Sequence, residues 1–279
     1  MNSTTPPYDK NLLKEALIDS AKLTRYAVDS SGQPDKNHPV MTTEDEVVIF
    51  DKGTSTWSFD VNGKITVNPT ATSTPYIEVD AQWLDTQAAL ETGVRVIHGS
   101  SANSFGGLGA LLVPDAFCIP TVIADQDNVK HYGLTLIPAE QTFTVKSDNY
   151  EIVMMEYDYT KDYKKDFLMQ KYGGGGIFVE THDFPHIHIP TTADCGGYIV
   201  IGKQLSATKF HFTAFQIPFG YALYTPSYTI HGDGTLVGVY ALTVGDSAFV
   251  SANTVLMYNE NTLTMAMDVV PDWPPQDCR

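Results

Sequence analysis

"GGGGIFVETHDFPHIHIPTTADCGGYIVIG", residues 173 to 202, decides the fold. Its short β-branched and aromatic runs, bounded by glycine, proline and turn-forming polar residues, read as strands rather than helix turns. The same texture extends in both directions. Upstream lie "EVVIF", "TWSFDV", "KITV", "YIEV", "VRVIH", "HYGLTLI", "QTFTV" and "YEIVMMEY"; downstream lie "FHFTAFQI", "LVGVYALTV" and "NTVLMYN". So many short strands at this spacing predict an all-β sandwich or barrel. Residues 8 to 27 differ: Leu12, Leu13, Ala16, Leu17 and Ala21 recur at helical spacing, predicting one amphipathic helix, the longest in the chain.

Three of the eight histidines crowd into residues 182 to 188. Side chains alternate along a strand, so His182, Phe184, His186 and His188 share one face, and Glu180 has the same parity. Such a face is odd for a plain core, because an imidazole is costly to bury unless its nitrogens find partners. Two imidazoles at His-x-His spacing reach one ion, and neutral imidazole is a common protein ligand for zinc, iron, nickel and copper. The competing reading is that of hydrogen-bonded structural histidines, with Pro185 breaking the strand.

The polar stretch "DYTKDYKKDFLMQKY", residues 158 to 172, marks a boundary and a short helix. It follows an N-terminal helix and arm (1–43) and a β-rich first half (44–157), and it opens the half that carries the histidines (158–279). "LTLIPAEQTFTV" and "FQIPFGYALYTP" each run from a strand into Ile-Pro and a turn, as two related β-units would.

With 279 residues, 43% of them hydrophobic, the chain is ample for a sizeable core. A formal charge of -16 disfavours nucleic acid and anionic membrane surfaces as partners, since both repel it. Cys118, Cys195 and Cys278 cannot all pair and lack zinc-finger spacing, which fits a reducing compartment. The first residues show no basic start followed by an apolar core, and nowhere do 18 apolar residues run together, so a cytoplasmic protein is expected. No Gly-x-Gly-x-x-Gly follows a strand, and no Gly-x-Ser-x-Gly occurs.

"HIHIPTTADCGGYIVIGK" followed by "FQIPFGYALYTPSYTIHGDG" resembles the two motifs of the cupin superfamily. His186 and His188 match the His-x-His of the first motif, Gly202 the glycine closing its strand, and Pro218 and Gly220 the Pro-x-Gly of the second. His231 best matches the histidine that follows. The family's glutamate position falls at or near Cys195, beside Asp194, and His231 lies eleven residues beyond Gly220, so "YALYTPSYTI" implies an extra loop or strand. "IHGDG" also reads as a tight turn, with Asp233 shaping it or orienting a histidine.

The resemblance implies a cupin-like double-stranded β-helix or β-sandwich of jelly-roll type, with an N-terminal helix and the first β-half packed on it. It implies one divalent transition metal (iron, manganese, nickel or zinc) on His186, His188 and His231, with a fourth ligand from Glu180, His182, Asp194 or Cys195. Glu180, His182 and Tyr224 are the expected catalytic groups, Tyr224 lining the barrel mouth. The expected function is a metal-dependent enzyme moving a proton on a small sugar-like or hydroxy/oxo-acid substrate, as in isomerases, epimerases and lyases. Alternatives are an iron-dependent dioxygenase, a carbohydrate-binding module without turnover, and a structural protein with packed histidines. Edge-strand pairing offers a route to a homodimer.

Overall fold

A computed structural model describes residues 10–65, 67–94 and 108–270. Of the strand expected at 94 to 98 all but Val94 lies outside the described residues, as does Cys278; of "KITV", Thr66 lies outside them and the rest joins no strand. The architecture is predominantly β. Strands begin earlier than expected. α1 (Lys10–Ala21) stops short, and "TRYAV" forms β1 (Thr24–Val28) rather than a last helical turn. Threonine, tyrosine and valine lose side-chain freedom in a helix and fit a pleated surface. β2 (Pro34–Phe50) follows, so residues 1–43 hold strand as well as helix.

Then come β3 (Gly53–Trp57), β4 (Ile77–Asp80), β5 (Gln82–Leu84), α2 (Thr86–Glu91), β6 (Leu108–Val113) and β7 (Thr121–Ile123). β8 (Thr135–Pro138), β9 (Phe143–Ser147) and β10 (Ile152–Tyr159) precede a π-helical turn, Lys164–Leu168, within the lysine-bearing stretch. The remainder is β11 (Phe178–His182), β12 (His186–Pro190), β13 (Gly196–Gln204), β14 (Lys209–Gln216), β15 (Tyr221–Thr225), β16 (Ile230–Gly245) and β17 (Ala252–Asn259). No described helix is long and apolar enough to cross a membrane.

Fifteen strands join one continuous sheet, and β16 is its corner. Before Gly238, β16 pairs with β13 and, at His231, with β11; from Gly238 onward it pairs with β10 and β12. Gly238 sits at φ 98°, a left-handed conformation that glycine adopts without a Cβ penalty. One wing therefore runs β1-β2-β10-β16-β12-β15-β8. The other runs β5-β6-β17-β11-β16-β13-β14, with β4 and β7 on the far side of β14. β10 and β16 thus join strands from either side of the lysine-bearing stretch in one wing. The two similar segments also meet, as β8 and β15 pair antiparallel.

The main core draws on both wings: Tyr157, Tyr240 and Leu242 from one, Phe178, Val200 and Leu256 from the other. A second cluster, including Ile152, Met154, Ile187 and Ile189, covers the opposite face of the first wing. The separate β3–β9 hairpin-like pair contributes Val145 to it, with Trp57 and Phe143 packed alongside. Every residue of β12 is buried. That explains "HIHIP": its isoleucines face the second cluster, leaving its histidines toward the main interior.

Candidate metal centre

The corner brings the histidines together, by a route different from the expected continuous strand. β11 ends at His182, residues Asp183 to Pro185 leave the sheet, and β12 restarts at His186 in the other wing. Pro185 has no N–H for a ladder and restricts Phe184 before it. Asp183 pins the corner, accepting from the Tyr150 hydroxyl, from Asn149 Nδ2 (3.0 Å) and from the Ser251 N–H (3.2 Å). His231, opposite Glu180 on β11 and Ile201 on β13, completes the group. One donor atom each from Glu180, His182, His186 and His231 lie within 4.8 Å of one another. The three imidazole centroids are 4.5 to 4.8 Å apart, and Phe184 stacks on His182 at 3.8 Å.

Hydrogen bonds fix the tautomers. His182 Nδ1 lies 2.9 Å from the Phe184 carbonyl, and His231 Nδ1 lies 2.9 Å from the Thr229 carbonyl. A carbonyl only accepts, so each Nδ1 carries the proton and each Nε2 presents a lone pair. Those two Nε2 atoms face each other at 3.1 Å. His186 follows suit: Thr243 Oγ1 donates to the Pro185 carbonyl (3.0 Å), so it can only accept from His186 Nδ1 at 3.4 Å. Anchoring one ring nitrogen on the backbone while the other points at a shared centre is how metal-ligating histidines are held.

Burial sets the charge. His182 and His186 are held well below the usual histidine range by desolvation and by the neighbouring rings, and His231 is lowered mainly by desolvation. Glu180 is pushed up to about 8, first by desolvation and then by Asp233, against the hydroxyl of Thr254 (3.0 Å from Oε2) and Arg25. His231 Nε2 and Glu180 Oε1, 3.8 Å apart, are therefore a neutral pair at pH 7 rather than an ion pair. Two facing lone pairs in a site that disfavours ring protonation fit a cation between them. Three nitrogens and one oxygen suit a divalent transition ion. The cluster can hold a metal ion.

Other expected residues fall elsewhere. His188 is fully buried beside the group, its ring 4.9 Å from His186, but stands outside the four, and among the described residues neither of its nitrogens has a partner. Desolvation takes it down to about 4. Tyr224 is a correction: it pairs with Ile187, on the face opposite His186 and His188, and packs in the second cluster near Lys146. Asp194 and Cys195 lie just ahead of β13, six or seven residues before the Ile201–His231 rung, roughly 20 Å away in an extended chain. Cys195 bonds instead to the Val239 carbonyl. "IHGDG" is no turn; β16 runs through it. His211 and His131 form a separate group with Tyr76 and Glu78.

Thr243, Thr254 and Arg25 went unnoticed in the sequence. The threonines carry no signal beyond lying in strands, since their roles depend on register. No family model, no curated protein and no solved structure matches the chain.

Proposed function

We propose that the chain is a cupin-like, metal-dependent enzyme that moves a proton on a small hydroxy- or oxo-acid or sugar-like substrate. The observation that carries this reading is the meeting of His182 and His231, Nε2 to Nε2 at 3.1 Å, with His186 and Glu180 inside the same group. The jelly-roll assignment draws support from the two wings folded about β16 with the cluster at their corner. The motif residues add to it: His186 and His188 on β12, Gly202 in β13, and Gly220 at φ 90° in the turn before β15.

Bound here, a divalent iron, manganese, nickel or zinc ion supplies Lewis acidity that polarises a carbonyl or hydroxyl oxygen. His182, His186 and His231 hold it as neutral donors, with ring orientations already fixed by the backbone carbonyls and Thr243. Glu180 carries the proton. Its carboxyl stands beside the three imidazoles, where it can take and return a proton as a general acid–base group must; burial raises it, and the charge of a bound ion opposes that rise. Thr254 orients that carboxyl by donating to Oε2, leaving Oε1 toward His231.

Solvent deuterium exchange, followed by NMR on a panel of small hydroxy acids, oxo acids and reducing sugars, tests this. The metal-loaded protein is expected to exchange a hydrogen next to the polarised oxygen, with a roughly hundredfold or greater loss in Glu180→Gln. Dioxygen uptake without exchange would replace the reading with iron oxygenase chemistry. Binding without either would make the chain a ligand-binding module.

A further inference from the structure

Arginine is almost never fully buried unless paired. Arg25, on edge strand β1, is only 2% exposed. Nη1 donates to the Tyr163 hydroxyl, and the guanidinium lies over the rings of Phe167 (5.4 Å) and Tyr163 (5.8 Å). Among the described residues, Nε and Nη2 have no partner. Those two nitrogens form the side-on fork of a guanidinium, whose parallel N–H bonds match the two oxygens of a carboxylate. Tyr163 thus fixes one end and leaves the fork open.

The fork is not alone. Tyr163 packs against Tyr159 (5.2 Å), whose hydroxyl donates to Asp233 Oδ2 at 2.9 Å, while Asp233 Oδ1 has no partner among the described residues. Asp233 lies two residues beyond His231 on β16, and both act electrostatically on His188. Both nitrogens of His188 are also unpartnered among the described residues, as is the hydroxyl of Thr225, directly across from His186. Arg25 and Asp233 both act electrostatically on Glu180, so this polar interior adjoins the histidine cluster. Leaving a buried polar atom unpaired costs roughly 1–3 kcal/mol, more for a charged group, so these six atoms are groups that a bound ligand would satisfy.

We propose that this interior is a substrate subsite for a small 2-hydroxycarboxylate, its carboxylate on the Nε/Nη2 fork of Arg25 and its hydroxyl toward Asp233 Oδ1. The free Asp233 oxygen is an acceptor, which suits a hydroxyl and opposes a dianion such as phosphate. Arg25, His188, Thr225 and Asp233 are all nearly fully buried, so a ligand they hold is enclosed rather than bound at the surface. The assignment deepens the proposed function, and it rests on that reading for the proton transfer that Glu180 performs on the bound acid.

Calorimetric titration of the full chain with glycolate, lactate, lactamide and inorganic phosphate, both metal-reconstituted and in chelator, tests it, with metal content measured on the same samples. Lactate is expected to bind, lactamide and phosphate not. Arg25→Gln is expected to weaken lactate roughly tenfold to hundredfold at unchanged metal content. Tyr163→Phe, which frees Nη1 but keeps the ring, is expected to weaken it severalfold and serves if Arg25→Gln does not fold. Lactate affinity unchanged in either folded variant, equal binding of lactamide or phosphate, or no carboxylate binding to the wild type would overturn the subsite. Absence of metal from the wild type would instead count against the metal reading, because the Arg25 effect on lactate is read with and without metal.

Discussion

Replacing Glu180 by glutamine separates the buried carboxyl from everything else that titrates near neutrality. Glutamine keeps the shape and the acceptor for Thr254 but holds no proton to lose. In metal-free protein the wild-type carboxyl titrates at about 8, against an ordinary 4.5, mainly because burial opposes its charge. A raised folded value means that the stabilisation is complete below the unfolded value and is lost as pH rises through the folded one. Each pH unit over which the folded state binds one extra proton is worth about 1.4 kcal/mol. From pH 6 to 8 the wild type therefore loses about 2 kcal/mol relative to Glu180→Gln. For a chain of this size that is about 5 °C in Tm. The lowered histidines act in the opposite sense: both states are neutral well above pH 6.5, and their stabilisation is lost as pH falls. They are common to both proteins, so the difference cancels them. Scanning calorimetry in chelator is expected to find the two nearly equal at pH 6 and the variant clearly more stable at pH 8. A Tm difference constant from pH 6 to 9 would refute the assignment of a buried, proton-holding Glu180.

Other substitutions probe the geometry. His188→Leu removes two unpartnered buried nitrogens next to Leu223 and Leu242, so metal content is expected to stay at the wild-type level and the metal-free Tm to rise, by about 1 kcal/mol of stability. Thr254→Val deletes the hydroxyl bonded to Glu180 Oε2 and is expected to weaken metal binding about tenfold in a competition titration with a chelator. Gly232→Ala would place a Cβ 2.2 Å from the Phe178 carbonyl oxygen, forcing β11 away from β16 one residue from the Glu180–His231 rung. Its expected cost is about 1–3 kcal/mol in chemical denaturation, together with reduced metal content.

The β class was legible because "YEIVMMEY", "GGIFVE", "GGYIVIG" and "FHFTAFQI" are β-branched and aromatic runs with no helical period, and each contains a strand. "TRYAV" was not, because the apolar spacing of the helix before it continues through Ala21. Crowding of His182, His186 and His188 announced the site, and the parity of Glu180 pointed at it. What parity missed is the break at Asp183 to Pro185, which sends His182 and His186 into different wings and still brings them together. "HGDG" has the composition of a turn for another reason: Gly232 and Gly234 are small because the Phe178 carbonyl and ring lie where their Cβ atoms would be. Tyr224 shows the limit of adjacency, since one residue of register puts it on the wrong face. A lone arginine near the N-terminus says nothing of its burial; only the fold reveals Arg25.

The most direct test of the metal centre is elemental analysis of purified protein beside a His182→Ala/His231→Ala double variant, each reconstituted with iron, manganese, nickel and zinc and then desalted. The expected result is one equivalent of a transition metal in the wild type and none in the double variant, with Tyr224→Phe retaining it. A wild type that holds no metal after every reconstitution, or a double variant that holds as much as the wild type, would contradict the account.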